Sequence, residues 1–155
     1  MNKRGVTLVE LVVVFVIIAF LAVLMVPNIG AWLPAYRLRN ATREVASILR
    51  TAQMRAISRN VQYRVSFNAA DVGGAAIPPR YVLQRFDSGG GTFVDDGAVQ
   101  TLPTGIAISS NLLPSARAVF NANSTSSGGS LTLQNTKGST RMITLTTATG
   151  RVNVP

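Results

Sequence analysis

Residues 3–27 read KRGVTLVELVVVFVIIAFLAVLMVP, and this stretch decides the fold. From residue 6 to residue 26 only Thr7 and Glu10 are polar, and residues 11–26 form an unbroken apolar run. As a helix rising 1.5 Å per residue, such a stretch spans about 30 Å, the thickness of a bilayer's hydrocarbon core. Pro27, Asn28 and Gly30 follow, residue types that break or kink a helix. Lys3 and Arg4 ahead of the run favour a cytoplasmic N-terminus, and Arg37, Arg39 and Arg43 beyond it weaken that bias. A secretory signal peptide or a one-pass anchor accounts for the apolar run, but neither accounts for Glu10. A carboxylate in an apolar membrane segment costs about 2.5–3.5 kcal/mol on insertion scales and usually has a partner. Glu10 is therefore a functional candidate.

Lys3-Arg4-Gly5-Val6-Thr7-Leu8-Val9-Glu10-Leu11 resembles the processing signal of type IV pilins and pseudopilins. The resemblance implies cleavage between Gly5 and Val6 by a prepilin peptidase on the cytoplasmic side, followed by N-methylation of Val6. It also implies a partner for Glu10: the freed amine of Val6 on a neighbouring subunit of a helical filament. The family usually carries Phe or Met where this chain has Val6, a departure from the pattern. The pairing is physically sensible, because two unpaired charges in an apolar bundle become one satisfied pair, and only one axial stagger brings them together.

Beyond the span, Leu38, Ala41, Val45, Ile48, Leu49, Ala52 and Ala56 recur at three- and four-residue spacing, an amphipathic stripe roughly 100° wide. Arg39, Arg43 and Arg50 project from the opposite side, and Arg55 and Arg59 lie nearer the stripe's edge. The pattern predicts one long helix kinked around Pro27 and Pro34, packed by its second half on a globular domain and ended by Asn60. Val61, Tyr63, Val65 and Phe67 then alternate with polar residues as in a strand with one buried face. Further strands are expected at 80–86, 105–109, 117–120, 131–133, 142–146 and 151–154, with turns at 71–79, 87–91 and 121–130.

Ala52-Gln53-Met54-Arg55-Ala56-Ile57-Ser58-Arg59-Asn60, running straight into a strand, resembles the helix end of the GspH/FimT branch of this family. So does the close at Gly150-Arg151-Val152, together with Val119-Phe120, the Ser/Gly-rich loop after it and Leu131-Thr132-Leu133. That branch holds minor pseudopilins of type II secretion and minor type IV pilins. The fold so implied is α+β: a long N-terminal transmembrane helix packed on a C-terminal antiparallel β-sandwich-like domain. The corresponding division is a leader over 1–5, an assembly helix over 6–27, its amphipathic continuation over 28–60 and a periplasmic β domain over 61–155.

Composition narrows the chemistry. The 155 residues contain no His and no Cys, which removes His-based triads, thiolate nucleophiles and ordinary zinc, haem or iron–sulfur sites. Six acids leave little for acid–base work or a hard-cation cage. No enzyme activity and no cofactor are expected. Asp95-Asp96, with Asp87 nearby, matches no EF-hand spacing, and such loop acids are usually just solvated. Gly89-Gly90-Gly91 lacks the Lys-Ser/Thr of a phosphate loop and reads as a turn.

The net charge of +9 rests on 15 basic residues, 13 of them Arg, which suits phosphate and carboxylate recognition. Some members of the branch resemble DNA-uptake pilins that carry Gly-Arg-x-Arg near the C-terminus. The matching positions here are Gly150, Arg151, Val152 and Asn153, so the second Arg is missing and Arg151 alone is left as a nucleic-acid contact. Only Arg117, Lys137 and Arg141 join it late in the chain, with no aromatic interleaving. Residues 6–60 hold six Arg against Glu10 and Glu44, so the charge is mostly a helix feature near the membrane and favours subunit or lipid contacts.

The expected function is that of a minor pseudopilin in a type II secretion pseudopilus, with a minor pilin priming a type IV pilus as the near alternative and a DNA-binding pilin as the distant one. The expected partners are other pilins through the N-terminal helix, the prepilin peptidase, the inner membrane and the assembly machinery. The C-terminal domain is expected in the periplasm.

Overall fold

The computed structural model describes residues 6–68 and 79–155. The leader residues Lys3, Arg4 and Gly5, and the turn expected at 71–79 up to its last residue, lie outside the described residues. The chain divides into two compact units, Met1–Leu33 and Pro34–Pro155.

Helix α1 spans Leu8–Arg59. Thr7 precedes it as N-cap: its Oγ1 accepts the Glu10 N–H at 3.3 Å, and its carbonyl accepts the Leu11 N–H at 3.2 Å. Pro27 and Pro34 each forfeit a backbone donor, yet neither ends the helix. The end comes at Asn60, as the sequence predicts. Asn60 has φ 52°, its N–H bonds to the Ile57 carbonyl at 3.3 Å, and the Val61 N–H reaches back to Ala56 at 3.2 Å. This pair of bonds is a Schellman cap, with Asn in the left-handed position that Gly more often fills.

In the first unit, the large apolar side chains of residues 6–21 are all exposed, between 49 and 80%. Among the described residues no helix is long and apolar enough to cross a membrane.

In the second unit, the helix buries the expected stripe. Leu38, Ala41, Val45, Leu49, Ala52 and Ala56 are 3% exposed or less, and Ile48 packs against the same core. Thr42 is buried as well, its hydroxyl donating to the Leu38 carbonyl at 2.7 Å.

Two antiparallel sheets complete the unit. The first is built from β1 (Tyr63–Phe67), β2 (Arg80–Asp87), β3 (Thr92–Asp95), β4 (Gln100–Thr101) and β6 (Arg117–Phe120). Its order is β3-β2-β1-β6, with β4 also pairing β2. Tyr63, Val65 and Phe67 point into the core, as their alternation requires. The second sheet has the order β5-β7-β8-β9, from β5 (Ile106–Asn111), β7 (Gly129–Asn135), β8 (Thr140–Leu145) and β9 (Val152–Asn153). Between β5 and β7 the register shifts at Ser109, so Ile108 opposes Leu133 while Ser110 opposes Thr132.

The expected α+β architecture of N-terminal helix and antiparallel sheets is therefore present. Two strands differ from expectation by being there at all. β3 has one half-buried residue, Phe93, and β4 is two exposed residues, so neither carries a period-2 signal. Phe93 is recruited by tertiary contacts: its ring meets Phe86 edge-on at 5.3 Å, and the Arg64 guanidinium lies 3.8 Å from its centroid. The turn expected over 121–130 ends two residues early because β7 starts at Gly129.

Candidate functional site

Of the residues singled out in the sequence, Gly5 lies outside the described residues, and Val6 and Glu10 lie exposed at the start of the helix. Glu10 sits at the third helical position after Thr7, the spacing of a capping box, and an acid in the first turn also suits the helix dipole. An acid in an exposed first turn is worth about 0.3–1 kcal/mol. That local role leaves the carboxylate exposed amid side chains that each gain about 1.5–3 kcal/mol on leaving water.

In the second unit the helix is fixed to both sheets by polar contacts that flank its apolar stripe. Toward the first sheet, Tyr81 donates its hydroxyl to Glu44 Oε1 at 2.8 Å. Burial of Tyr81, and then this bond to a carboxylate, push its phenol well above the usual tyrosine range. One turn before the helix end, Arg55 Nη1 donates to Asp96 Oδ2 at 2.8 Å, Tyr63 donates to the same oxygen at 3.0 Å, and Arg59 donates to the Tyr63 hydroxyl at 2.8 Å. Burial raises the Asp96 carboxyl pKa. The bonds from Tyr63 and Arg55, with the charges of Arg59 and Arg55, outweigh that and hold it below the usual carboxylate range.

The reading of Asp95-Asp96 as solvated loop acids is thus corrected. Asp95 accepts from Gln84 Nε2 at 2.8 Å, and Asp96 anchors the loop after β3 to the helix. Among the described residues no cluster of three or more metal-ligating side chains comes together.

Toward the second sheet, Gln53 Nε2 donates to the Thr149 carbonyl at 3.0 Å. Gly150 follows with φ +61°, and a Cβ there would stand 2.7 Å from the Ser124 carbonyl and 2.9 Å from Gln53 Nε2. Only glycine fits that approach. Two stretches that carry the family resemblance, at 52–60 and 150–152, therefore meet at Gln53 and Gly150.

The remaining helix arginines form a separate feature. Arg39, Arg43 and Arg50 fall within about 40° of one another around the helix and span about 16 Å along it. Arg141 of β8 joins them around a cavity of about 470 Å3, also lined by Thr42, Ala46, Val154 and Pro155. Arg50 donates to the Val152 carbonyl at 3.5 Å, and Arg141 to the main-chain oxygen of Pro155 at 3.4 Å. None of the four makes an ion pair among the described residues. Like charges at i and i+4, such as Arg39 and Arg43, cost an isolated helix roughly 0.2–0.5 kcal/mol. Arg151 is exposed and lies outside this lining. The role of Arg141 was invisible in sequence, because nothing local ties a strand residue to a helix row about a hundred residues earlier. Glu44 did leave a trace, as the lone acid of the amphipathic stretch.

This geometry has close counterparts. The minor pseudopilin EpsH from the type 2 secretion system of Vibrio cholerae superposes with a TM-score of 0.61 at 10% identity, over 77% of this chain and 96% of that one. The type IV minor pilin FimU of Pseudomonas aeruginosa PAO1 superposes in two crystal forms at 15% identity. One gives a TM-score of 0.58 over 76% of this chain and 92% of that one, the other 0.59 over 78% and 90%. At such identities the likeness concerns the fold. No curated protein matches the sequence. Residues 1–26 match the prokaryotic N-terminal methylation motif, over the stretch that resembles the pilin processing signal. Residues 41–150, most of the second unit, match the family described as Type II transport protein GspH. The chain belongs to the GspH family.

Proposed function

We propose that the protein is a minor pseudopilin, a non-enzymatic subunit of a type II secretion pseudopilus. Prepilin peptidase cleaves it between Gly5 and Val6, Val6 is N-methylated, and the apolar segment holds it in the inner membrane until assembly, with the second unit in the periplasm. The observation that carries this reading is the contrast in the helix. Its first part exposes an apolar surface on every side, from Leu8 at 80% to Leu21 at 50%, while the apolar stripe of the second part is already covered by its own sheets. A surface of that kind needs lipid or other helices around it. Glu10 fixes the stagger by meeting the amine of Val6 on the next subunit. Glu10→Val is expected to abolish incorporation into filaments while leaving the second unit folded. Normal assembly of that variant, followed by co-purification with the other subunits, would overturn the role of Glu10. An intact Met1 in the mass spectrum of the mature protein would overturn the pilin reading.

A second reading, a minor pilin that primes a type IV pilus, is favoured by one observation: FimU superposes about as well as EpsH and at higher identity. Deleting the gene and scoring secretion against surface piliation separates the two. The DNA-binding reading rests on Arg151 alone. It predicts salt-sensitive binding of duplex DNA by the full chain that Arg151→Ala removes.

A further inference from the structure

We infer that the cavity framed by Arg39, Arg43, Arg50 and Arg141 is a docking surface for an acidic helical segment of a different chain. The inference rests on the filament-subunit reading only for the existence of a neighbouring chain.

Three observations carry it. The first is an uncompensated row of charge. Three arginines line up along about 16 Å of one helix face, and a fourth closes the cavity from β8, where it donates to the main-chain oxygen of Pro155; no Asp or Glu side chain is among the lining residues. Arginine presents a planar fork that binds carboxylates bidentately, and the i, i+4, i+11 spacing of the row is matched by acids at the same spacing on a second helix. The second observation counts against another copy of this chain. Among the described residues Glu44 is held by Tyr81, Asp96 by Arg55, Asp95 by Gln84, and Asp87 by the Gly90 N–H. Glu10 is a single carboxylate in the other unit, so the described residues of a second copy offer no acidic row. This favours a counter-charge from a different chain. The third concerns nucleic acid. The cavity is lined by aliphatic and hydroxyl side chains with no aromatic ring among them, so it lacks the stacking platform on which single-stranded bases are held.

The surface therefore makes this subunit heterotypic: it takes a neighbour of opposite charge and disfavours its own copies by repulsion. Electrostatic docking of this kind weakens as salt rises past the range where the Debye length is about 8–10 Å.

The test uses the full chain in neutral detergent and a fluorescently labelled helical peptide bearing Glu at i, i+4 and i+11. Anisotropy is expected to show salt-sensitive binding. Affinity should fall about tenfold when the peptide's Glu are replaced by Gln, the loss expected of a few screened charge pairs. A similar loss is expected in the double variant Arg43→Glu, Arg50→Glu, and a peptide with Lys in place of Glu should restore binding to that variant. If the reversed variant melts early, the Arg43→Lys, Arg50→Lys pair and the Gln peptide carry the test instead. Equal affinity for Glu and Gln peptides overturns the inference, and so does displacement of the peptide by a lower concentration of duplex DNA. The chain has no cysteine, so Ser47→Cys beside the row is a unique reporter. Disulfide-linked copies formed through it would show that the surface meets itself, which also overturns the inference. Failure of the filament reading registers separately, in the mature N-terminus and in the assembly of Glu10→Val.

Discussion

Residues 8–21 are apolar almost throughout, residues 38–56 are apolar along one stripe, and both belong to one helix, but the structure treats their apolar side chains in opposite ways. In the first stretch Val, Leu, Ile and Phe stand on every side and are half to four-fifths exposed. In the second, small residues such as Ala41, Ala52 and Ala56 alternate with Val45 and Leu49 on one stripe that the sheets cover completely. The lesson is about completeness. A stripe of small residues lets a helix sit close to a sheet of the same chain, and its hydrophobic gain is realised on folding. A belt of bulky residues all round has no partner within the chain, so its gain is deferred to lipid or to other subunits.

The sharpest way to test this division is to damage one side and read the other. Phe120→Ala, in a position with no exposure, is expected to cost about 3–5 kcal/mol of stability in the second unit, measured by thermal or denaturant unfolding of the full chain. A loss below about 1 kcal/mol would mean that the core is not where burial places it. Gly150→Ala should cost about 2–3 kcal/mol, because the added Cβ meets a backbone carbonyl and the φ of +61° disfavours any Cβ. A variant that melts like the parent would show that the contact between Gln53 and the 149–150 turn is slack.

Asp96→Asn is expected to cost about 1–2 kcal/mol near neutral pH, since it breaks a part-exposed ion pair with Arg55 but can keep the bond from Tyr63. Its pH dependence is the more telling measurement. The folded-state pKa of Asp96 lies below the unfolded value of about 3.9, so its stabilisation is complete above that value and is lost as pH falls through the folded pKa. The parent should therefore lose stability relative to Asp96→Asn below about pH 4, and parallel curves there would remove Asp96 from the account. The smallest effect belongs to the first stretch. Phe15→Ala, 63% exposed in the parent, should change the unfolding of the second unit by no more than about 0.5 kcal/mol. A large shift would mean that the apolar belt supports the folded domain as well as its assembly.

Much of the fold was legible because it follows from periodicity. The helical stripe, the alternation at Tyr63, Val65 and Phe67, and the strand at Arg117–Phe120 all repeat at the period their backbone imposes. Asn60 was legible as a helix end because its short polar side chain tolerates the left-handed region. β3 and β4 were not, since an exposed strand of two to four residues has no period to detect and exists only because β2 offers an edge. The partners of Asp96 and Glu44 were equally hidden, as each bond joins residues more than thirty positions apart.

The sequence alone determined the apolar belt, the processing motif around Gly5 and Glu10, the absence of His and Cys, and the amphipathic continuation of the helix. These are properties of composition and spacing, and they hold whatever the chain packs against. Only the tertiary structure decided which charges are already spent. It bound Arg55 to Asp96 and Tyr81 to Glu44, set Gly150 against Gln53, and brought Arg141 of a distant strand to the arginine row of the helix. Whether a charge is neutralised depends on what lies within a few ångströms of it, and that distance is fixed by how sheets and helix close around one core.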